Sequence, residues 1–523
     1  MKRIPSRHFS ETLHTIEKFA TVAKRTLPIF VLIFAALIVR LLLSPPIWNR
    51  GEAREGLVIQ EIVRDQQWIL PLRNGELPSK PPLFHWMAAV PAFLIGPSDF
   101  TVRLPSALAA AIMAITTYMM GRAMGGLATG WLALGALLGI YEFWDTGTQA
   151  RVDMVFSACV VISLAGFFLW YRDGSKAARA ACHIGAAFAV LAKGPAGLAL
   201  PAIVILAFLV IEGRLKLLRQ FWSWPLTAVI LLVDVGWYAS AYSIGGSEFF
   251  KLQIERENVD RALGTGRMAA DDNFVTMAGW LLGRLFPASL VLFWSLIRRL
   301  RGEREDSAGR FLHVWWMSIF LVFALAAGKR AVYLVPIYPA ISILAARAVT
   351  PLVLRWQRIS ETKASAPLSA QRYRPARIIG AAIVLMDLTL MLMTRNVWKH
   401  STVEKARLAF INNVGTIVPV NTPIFATPEL NHEALIVIAY RLHREIERKP
   451  IACAESNEYF LAPFEIETET GQGSRVLASS KKADVSLVNL PSARPGVHDK
   501  GLCFSLTSKS HGIANAQPAL PTN

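Results

Sequence analysis

Apolar runs of mostly about 16–24 residues with few or no charges recur from Leu27 to Thr394, and most can cross a hydrocarbon core of about 30 Å as helices. The pattern predicts spans over 27–44, 105–120, 127–145, 153–171, 180–193, 197–212, 225–244, 274–297, 311–327, 332–349 and 378–394. The expected fold is therefore mainly α, a polytopic membrane protein with about eleven transmembrane helices. Basic tracts separate the spans unevenly. Arg172/Lys176/Arg179, Arg214/Lys216/Arg219, Arg298/Arg299/Arg301/Arg304 and the run from Arg355 to Arg377 all fall on one side, which positive-inside sorting makes cytoplasmic. The N-terminal stretch 1–26 is a cytoplasmic tail in this reading. It is basic but long and mixed with acids, without the short charged region and small-residue cleavage site of a signal peptide. The opposite side receives a long loop at 45–104, a second at 245–273, and everything after 394.

That tail divides in two. Short apolar runs at Thr422–Ala426, Arg475–Ser479 and Asp484–Leu490, around an amphipathic stretch at Glu433–Ile446, predict a small extracytoplasmic α/β domain over 395–506. Residues 507–523 are rich in Ser, Ala, Pro and Asn and have little to bury, so they are expected to be disordered. Cys159 and Cys182 fall in apolar spans, as small hydrophobes do. Cys453 and Cys503 fall in the outer tail, where a disulfide would survive.

Composition agrees with the membrane reading. The chain is 53% hydrophobic and 18% charged, with a mean hydropathy of +0.39, against about 25% charged for ordinary soluble domains. The formal net charge of +18 would suggest nucleic acid in a soluble protein. Its placement in short inter-span tracts makes that a poor reading and membrane lipids the natural neighbours.

Polar residues at the outer ends of the spans carry the candidate chemistry. In the first outer loop Glu52, Arg54 and Glu55 open a stretch whose apolar residues continue at helical spacing to Val63, an amphipathic helix lying at the interface. A charge triplet that caps and solvates a helix needs no further role. Asp153 at one outer turn, Lys193 at another and Lys329–Arg330 at a third shift the balance, because positive-inside sorting disfavours cations there. An anion gathered from several loops, a phosphate or pyrophosphate, gives those cations a purpose. Arg256 and Arg261 in the second outer loop are further phosphate-ligand candidates, and Glu257 and Arg261 share a helical face as an i,i+4 pair. His85 and His183 are isolated and no paired His/Cys cluster exists. No metal site is expected and no cofactor is required, although a divalent ion bridging carboxylates stays open. Asp234 and Arg284 fall near the middle of successive spans, where an unpaired charge costs at least about 2.5 kcal/mol. They are expected to pair, or one of them to face a wet cavity. Asp387 has no evident partner.

Glu-Ala-Arg-Glu (52–55), Trp-Ile-Leu-Pro (68–71), Ser-Lys-Pro-Pro-Leu (79–83), Arg-Leu-Pro-Ser-Ala (103–107), Ala-Arg-Val-Asp-Met (150–154), Ala-Lys-Gly-Pro (192–195) and the run from Lys329 to Ala340 together resemble the bacterial aminoarabinose transferase and protein-mannosyltransferase superfamily. The resemblance covers about residues 30–345. It implies a C-type glycosyltransferase fold and inverting transfer of a sugar from a polyprenyl-phosphate donor, undecaprenyl phosphate in bacteria, to a lipid A, glycan or protein acceptor on the extracytoplasmic face of the inner membrane. It further implies donor-phosphate contacts at Arg54, Lys80, Lys193, Lys329 and Arg330. The superfamily usually carries Asp-Glu in the first motif, and this chain has Gly51-Glu52. It often carries an acid before the lysine, and this chain has Ser79. Glu52 is accordingly the first candidate for the reactive carboxylate, Asp153 the second and Glu55 the third. The competing classes are a lipid or solute transporter or flippase, and a catalytically inactive member of the superfamily.

Overall fold

A computed structural model describes residues 30–260, 274–286, 288–302, 305–361 and 402–490, apart from 455–456, 465–474 and 482, together with Leu27. The tail 1–26, the span 378–394 with Asp387, Arg261, Cys503 and the segment 507–523 lie outside the described residues.

Helices α1 (Phe30–Leu43), α2 (Arg50–Asp65), α3 (Leu83–Ile95) and α4 (Asp99–Leu138) are followed by α5 (Tyr141–Gly147), α6 (Val152–Asp173), α7 (Lys176–Lys193) and α8 (Ala196–Ile211). After the short α9 (Leu217–Phe221) come α10 (Trp224–Phe250), a π-helical stretch (Lys251–Val259), α11 (Phe274–Arg284), α12 (Ala288–Leu300), α13 (Ser307–Leu325), a 3-10 turn (Ala331–Ile337) and α14 (Tyr338–Glu361). Among the described residues five helices are long and apolar enough to span a membrane, or six if α11 and α12, bent by 113° at their junction, count as one broken span; α1, α3 and α8 are apolar but shorter.

Several expected boundaries move. The break expected between the spans 105–120 and 127–145 falls at Gly126, where α4 turns back on itself as two arms, the first beginning earlier than expected, at Asp99, and the second ending at Leu138. Gly126 has φ 85°, a left-handed conformation that glycine adopts at little cost. The reversal brings Gly121 against Gly130, where a Cβ would stand 3.1 Å from the facing Cα. The second arm ends at Leu138 and α5 begins a new helix, so the expected span 127–145 is interrupted. The first outer loop is largely helical, holding α2, α3 and the first turn of α4. The second begins as helix: α10 continues to Phe250 and passes into the π-helical stretch.

Small residues let helices pack closely. Gly166 of α6 and Gly185 of α7 leave no room for a Cβ, which would meet backbone atoms of the partner helix at 2.6 and 2.8 Å respectively. Close backbone approach of this kind is how membrane helices gain packing without a hydrophobic driving force. It also holds the outer end of α6 level with the outer end of α7.

The C-terminal region contains α15 (Thr402–Ile417), β1 (Ile424–Ala426), α16 (His432–Leu442), β2 (Glu447–Arg448), β3 (Glu458–Ala462), β4 (Arg475–Ser480) and β5 (Val485–Leu490). The strands form one sheet in the order β2-β1-β3-β5-β4, parallel at β1–β2 and β1–β3 and antiparallel at β3–β5 and β5–β4. The α/β composition is as expected, with β2 and β3 added. Cys453 is disulfide-bonded, whereas Cys159 and Cys182 are free and buried.

This sheet and its helix do not stand apart from the rest. α16 lies across α2, with the Tyr440 ring so close to Gly56 that a Cβ there would stand 2.3 Å from it. Tyr440 donates its hydroxyl to Asp99 (2.8 Å), Arg441 pairs with the same carboxylate (2.9 Å), and Gln60 donates to the Tyr440 carbonyl (3.0 Å). Asn74 closes the contact by exchanging two hydrogen bonds with the Ile446 backbone.

Glu61 lies on α2 beside this contact, accepting from the Leu72 backbone N–H, with Arg64, Asp65 and Glu445 nearby. Burial pushes its carboxyl up to about 7, against the pull of the Leu72 N–H and Arg64. The folded protein thus holds this proton more tightly than the unfolded chain, so the group's contribution is full at low pH and is lost as pH rises toward 7. Thermal melts at pH 5 and pH 7.5 should show wild type losing stability across that interval, with Glu61→Gln reducing the loss.

Candidate active site

The antiparallel helices α6 and α7 end together at one face. Asp153 occupies the first turn of α6 and Lys193 the last turn of α7, each on the helix end whose dipole favours its charge. Lys193 Nζ reaches Asp153 Oδ1 at 2.5 Å, and both side chains are largely buried. The ammonium also lies 4.4 Å from the centre of the Tyr333 ring and 5.0 Å from that of Phe156, a cation–π setting that helps hold it in place. The charges of Arg151 and Lys80 also reach Asp153.

α2 supplies a second acidic group. Arg54 pairs with its neighbour Glu55 at 2.5 Å, and His85 Nε2 lies 2.8 Å from the other oxygen of Glu55. Burial alone would raise the Glu55 carboxyl, but Arg54 and His85 hold it far below the usual carboxylate range. Glu55 beside it raises Arg54 against the effect of burial, and the carboxylates of Glu257 and Asp153 add to that field. Lys80 is buried and pairs with Glu257 at 2.5 Å. Arg54, Glu55, Lys80, His85, Asp153, Lys193 and Glu257 therefore share one electrostatic neighbourhood at the end of the bundle where α6 begins and α7 ends.

Glu52 stands differently from the expectation. Arg103 grips it through both oxygens (2.7 and 2.9 Å), Ala150 donates its backbone N–H to Oε1 (2.8 Å), and Asn49 donates its carboxamide to Oε2 (2.8 Å). Burial would raise this carboxyl, yet Arg103 and the other donors hold it below its ordinary value. A carboxylate with four donors and a lowered pKa is a poor proton acceptor and a strong brace. It joins α2, α4 and the turn before α6. Glu52 also lines a cavity of about 160 Å³ with Arg40, Trp48, Arg103, Tyr141 and Asp145.

The remaining candidates divide. Lys329 is half-buried and Arg330 exposed, in the turn leading to Tyr333, and neither has a side-chain partner among the described residues. Arg256 is exposed, and its neighbour Glu257 is the residue that turns inward. The expected pairing of Asp234 with Arg284 is not formed. Arg284 pairs with Glu142, while Asp234 is buried with Oδ1 unpartnered among the described residues. His85, isolated in the sequence, meets Glu55 in the fold. Among the described residues no group of three or more His, Cys, Asp or Glu could hold a metal ion.

Sequence reasoning assigned no role to Arg103 or Arg151, and gave Glu257 only a pairing with Arg261, which lies outside the described residues, where the structure places Lys80 against it. Arg103 lies in a quoted motif, and its spacing four residues after Asp99 puts both on one face of α4. Nothing local marks its partner as Glu52, 51 residues away. The Arg151 guanidinium fills the space beside Gly51, where a Cβ would stand 2.8 Å from its Nη2. An added side chain at position 51 would have to displace it.

Removing the Glu52 brace gives a test of its structural role. Breaking one side of a buried ion pair costs on the order of 3–5 kcal/mol. Arg103→Met should lower the thermal unfolding temperature in detergent strongly, and combining it with Glu52→Gln should recover much of the loss because no charge is left buried alone.

Residues 79–238 match the profile of the family described as dolichyl-phosphate-mannose-protein mannosyltransferase. An undecaprenyl phosphate-alpha-4-amino-4-deoxy-L-arabinose arabinosyl transferase of Shewanella sediminis is 26% identical over 317 residues, covering 58% of this chain and 56% of that protein. The match therefore spans little more than half the length of that relative. Among solved structures, ArnT from Cupriavidus metallidurans bound to undecaprenyl phosphate superposes with a TM-score of 0.73 at 18% identity, covering 91% of this chain and 100% of that one. The apo oligosaccharyltransferase of Archaeoglobus fulgidus has a TM-score of 0.56 at 14% identity, over 84% of this chain and 70% of that one. In sequence over part of its length and in fold over most of it, the chain is similar to the aminoarabinose-transferase and protein-mannosyltransferase superfamily of membrane glycosyltransferases.

Proposed function

We propose that the protein is an integral-membrane glycosyltransferase that moves a sugar from a polyprenyl-phosphate donor to a lipid, glycan or protein acceptor, with inversion at the anomeric carbon. The reaction takes place on the extracytoplasmic face, with the N-terminus cytoplasmic and the C-terminal α/β region on the side of the site. The observation that carries this reading is the gathering of largely enclosed cations about one carboxylate where the helices end: Arg54, Lys80 and Lys193 around Asp153. As the glycosidic bond breaks, negative charge builds on the departing lipid phosphate, and cations fixed there in advance lower the barrier. A site at the ends of membrane helices suits a donor whose polyprenyl chain stays in the bilayer while its phosphate and sugar lie at the surface. Lys329 and Arg330 extend the cationic rim on the Tyr333 side.

Asp153 is the carboxylate best suited to orient or deprotonate the acceptor hydroxyl. It sits among the cations that would hold the phosphate, and Lys193 contacts only its Oδ1, which leaves the second oxygen for an acceptor hydroxyl. Glu55 is committed to Arg54 and His85, and Glu52 to its four donors. The name of the Shewanella sediminis relative makes undecaprenyl phosphate carrying 4-amino-4-deoxy-L-arabinose the first donor to test, with hexose-bearing donors beside it.

Purified protein in nanodiscs, given a panel of undecaprenyl-phosphate sugars and candidate acceptors, should release undecaprenyl phosphate, scored by mass spectrometry. Asp153→Asn should lower turnover at least about 100-fold, the scale of a lost proton-transfer group, with the unfolding temperature preserved. Glu52→Gln should act mainly through a lower unfolding temperature. Undiminished turnover in Asp153→Asn would remove Asp153 from the mechanism.

A further inference from the structure

Lys80 already holds an anion in this structure. Its ammonium lies 2.5 Å from Glu257 Oε2, and the two side chains are 8% and 6% exposed. The carboxylate comes from far along the chain, 177 residues away, on the π-helical stretch Lys251–Val259. Such wide turns are rare and often accompany functional sites. The stretch hangs from Gly246, whose φ of 57° breaks the end of α10 and whose Cβ position has nothing within 4 Å. A second tether sits beside the pair: Gln253 Nε2 donates to the Pro78 carbonyl at 2.8 Å, buried, two residues from Lys80. The segment after α10 thus lies against the loop that carries Lys80 and lays one acid on its cation.

A buried ammonium needs an anion at all times, because leaving it alone in low dielectric is costly. Two anions against one ammonium repel each other and push one toward protonation or departure. Resting on the proposed donor reading, we infer that Glu257 is a resident counter-ion of the donor-phosphate site: it neutralises Lys80 when the site is empty and gives Lys80 up to the lipid phosphate when the donor enters. Glu257 is a positioning residue in this scheme. It keeps Lys80 folded inward and sets the affinity for the carrier lipid, so that released undecaprenyl phosphate leaves against a carboxylate ready to take its place. This exchange favours product departure, a step that limits many enzymes.

The test measures binding of sugar-free undecaprenyl phosphate to the full chain in nanodiscs, with undecaprenol as the phosphate-free control. Wild type, Glu257→Gln, Lys80→Gln and the double variant form a cycle. Glu257→Gln should bind the lipid phosphate at least about 5-fold more tightly than wild type, and should gain more thermal stability from it. In the Lys80→Gln background that gain should vanish. Unchanged or weaker binding in Glu257→Gln overturns the inference, and so does a gain that persists without Lys80, since that reports general repulsion and no exchange at this ammonium. If Glu257→Gln does not fold, Glu257→Asp replaces it: the charge is kept but drawn back by one methylene, and a smaller gain of the same sign is expected. Failure of wild type and every variant to bind the lipid phosphate above the undecaprenol control would instead sink the donor reading on which the inference rests.

Discussion

Charge buried at the ends of membrane helices is the constraint around which this molecule is arranged. Water scarcely reaches Glu52, Glu55, Lys80 or Glu257 and reaches Asp153 only in part, so each finds its counter-charge within the protein. Three of those counter-charges come from distant parts of the chain, Arg103 on α4 for Glu52, Lys193 on α7 for Asp153 and Glu257 beyond α10 for Lys80, while Glu55 takes its neighbour Arg54 and a contact with His85 of α3. Satisfying them fixes how the helix ends stand relative to one another. Glycine contacts between α6 and α7, and within the α4 hairpin, then set the spacing of the spans below.

The same arrangement links the C-terminal sheet to the site. Asp99 opens α4, accepts the Ile47 backbone N–H and carries Tyr440 and Arg441 of α16. One turn further along α4, Arg103 holds Glu52 and also the Pro45 carbonyl. A single helical face therefore connects α16 to the start of α2, and the seat of Tyr440 on Gly56 adds a second route to the same helix. Docking of the α/β region and placement of Arg54 and Glu55 are consequences of one set of contacts.

Much of this was legible in the sequence, and what was missed has a physical pattern. Apolar run length shows helices with little ambiguity, and the spans at 153–171, 197–212 and 311–327 fall within a few residues of α6, α8 and α13. The turn at Gly126 falls in the gap expected between 120 and 127, but a later interruption was harder. Nothing in composition says that the helix stops at Leu138 and restarts at Tyr141, because the flanking residues are as apolar as the helix. The chemistry-bearing positions were also visible, since acids and cations at outer turns conflict with positive-inside sorting and ask for a reason. Their pairing was not visible. Asp234 and Arg284 lie on successive predicted spans and suggest partnership, yet Arg284 meets Glu142 instead, because proximity depends on how helices are arranged and not on their order. His85 is isolated in the sequence, and only the fold brings α2 beneath it.

The role of Glu52 shows why residue type and position underdetermine chemistry. In sequence it is the acid of the first motif and the natural candidate for a base. In the fold its two oxygens take four donors, and the same interactions that stabilise its charge remove its affinity for a proton. Asp153 makes its direct side-chain contact with one lysine, the Lys193 ammonium, which packs against Tyr333 and Phe156. A lysine offers a single point charge to one oxygen, whereas Arg103 takes both oxygens of Glu52 in a fixed fork. The two acids are alike as residue types, and only the number and geometry of the donors around each separate a brace from a carboxylate with an oxygen left to offer.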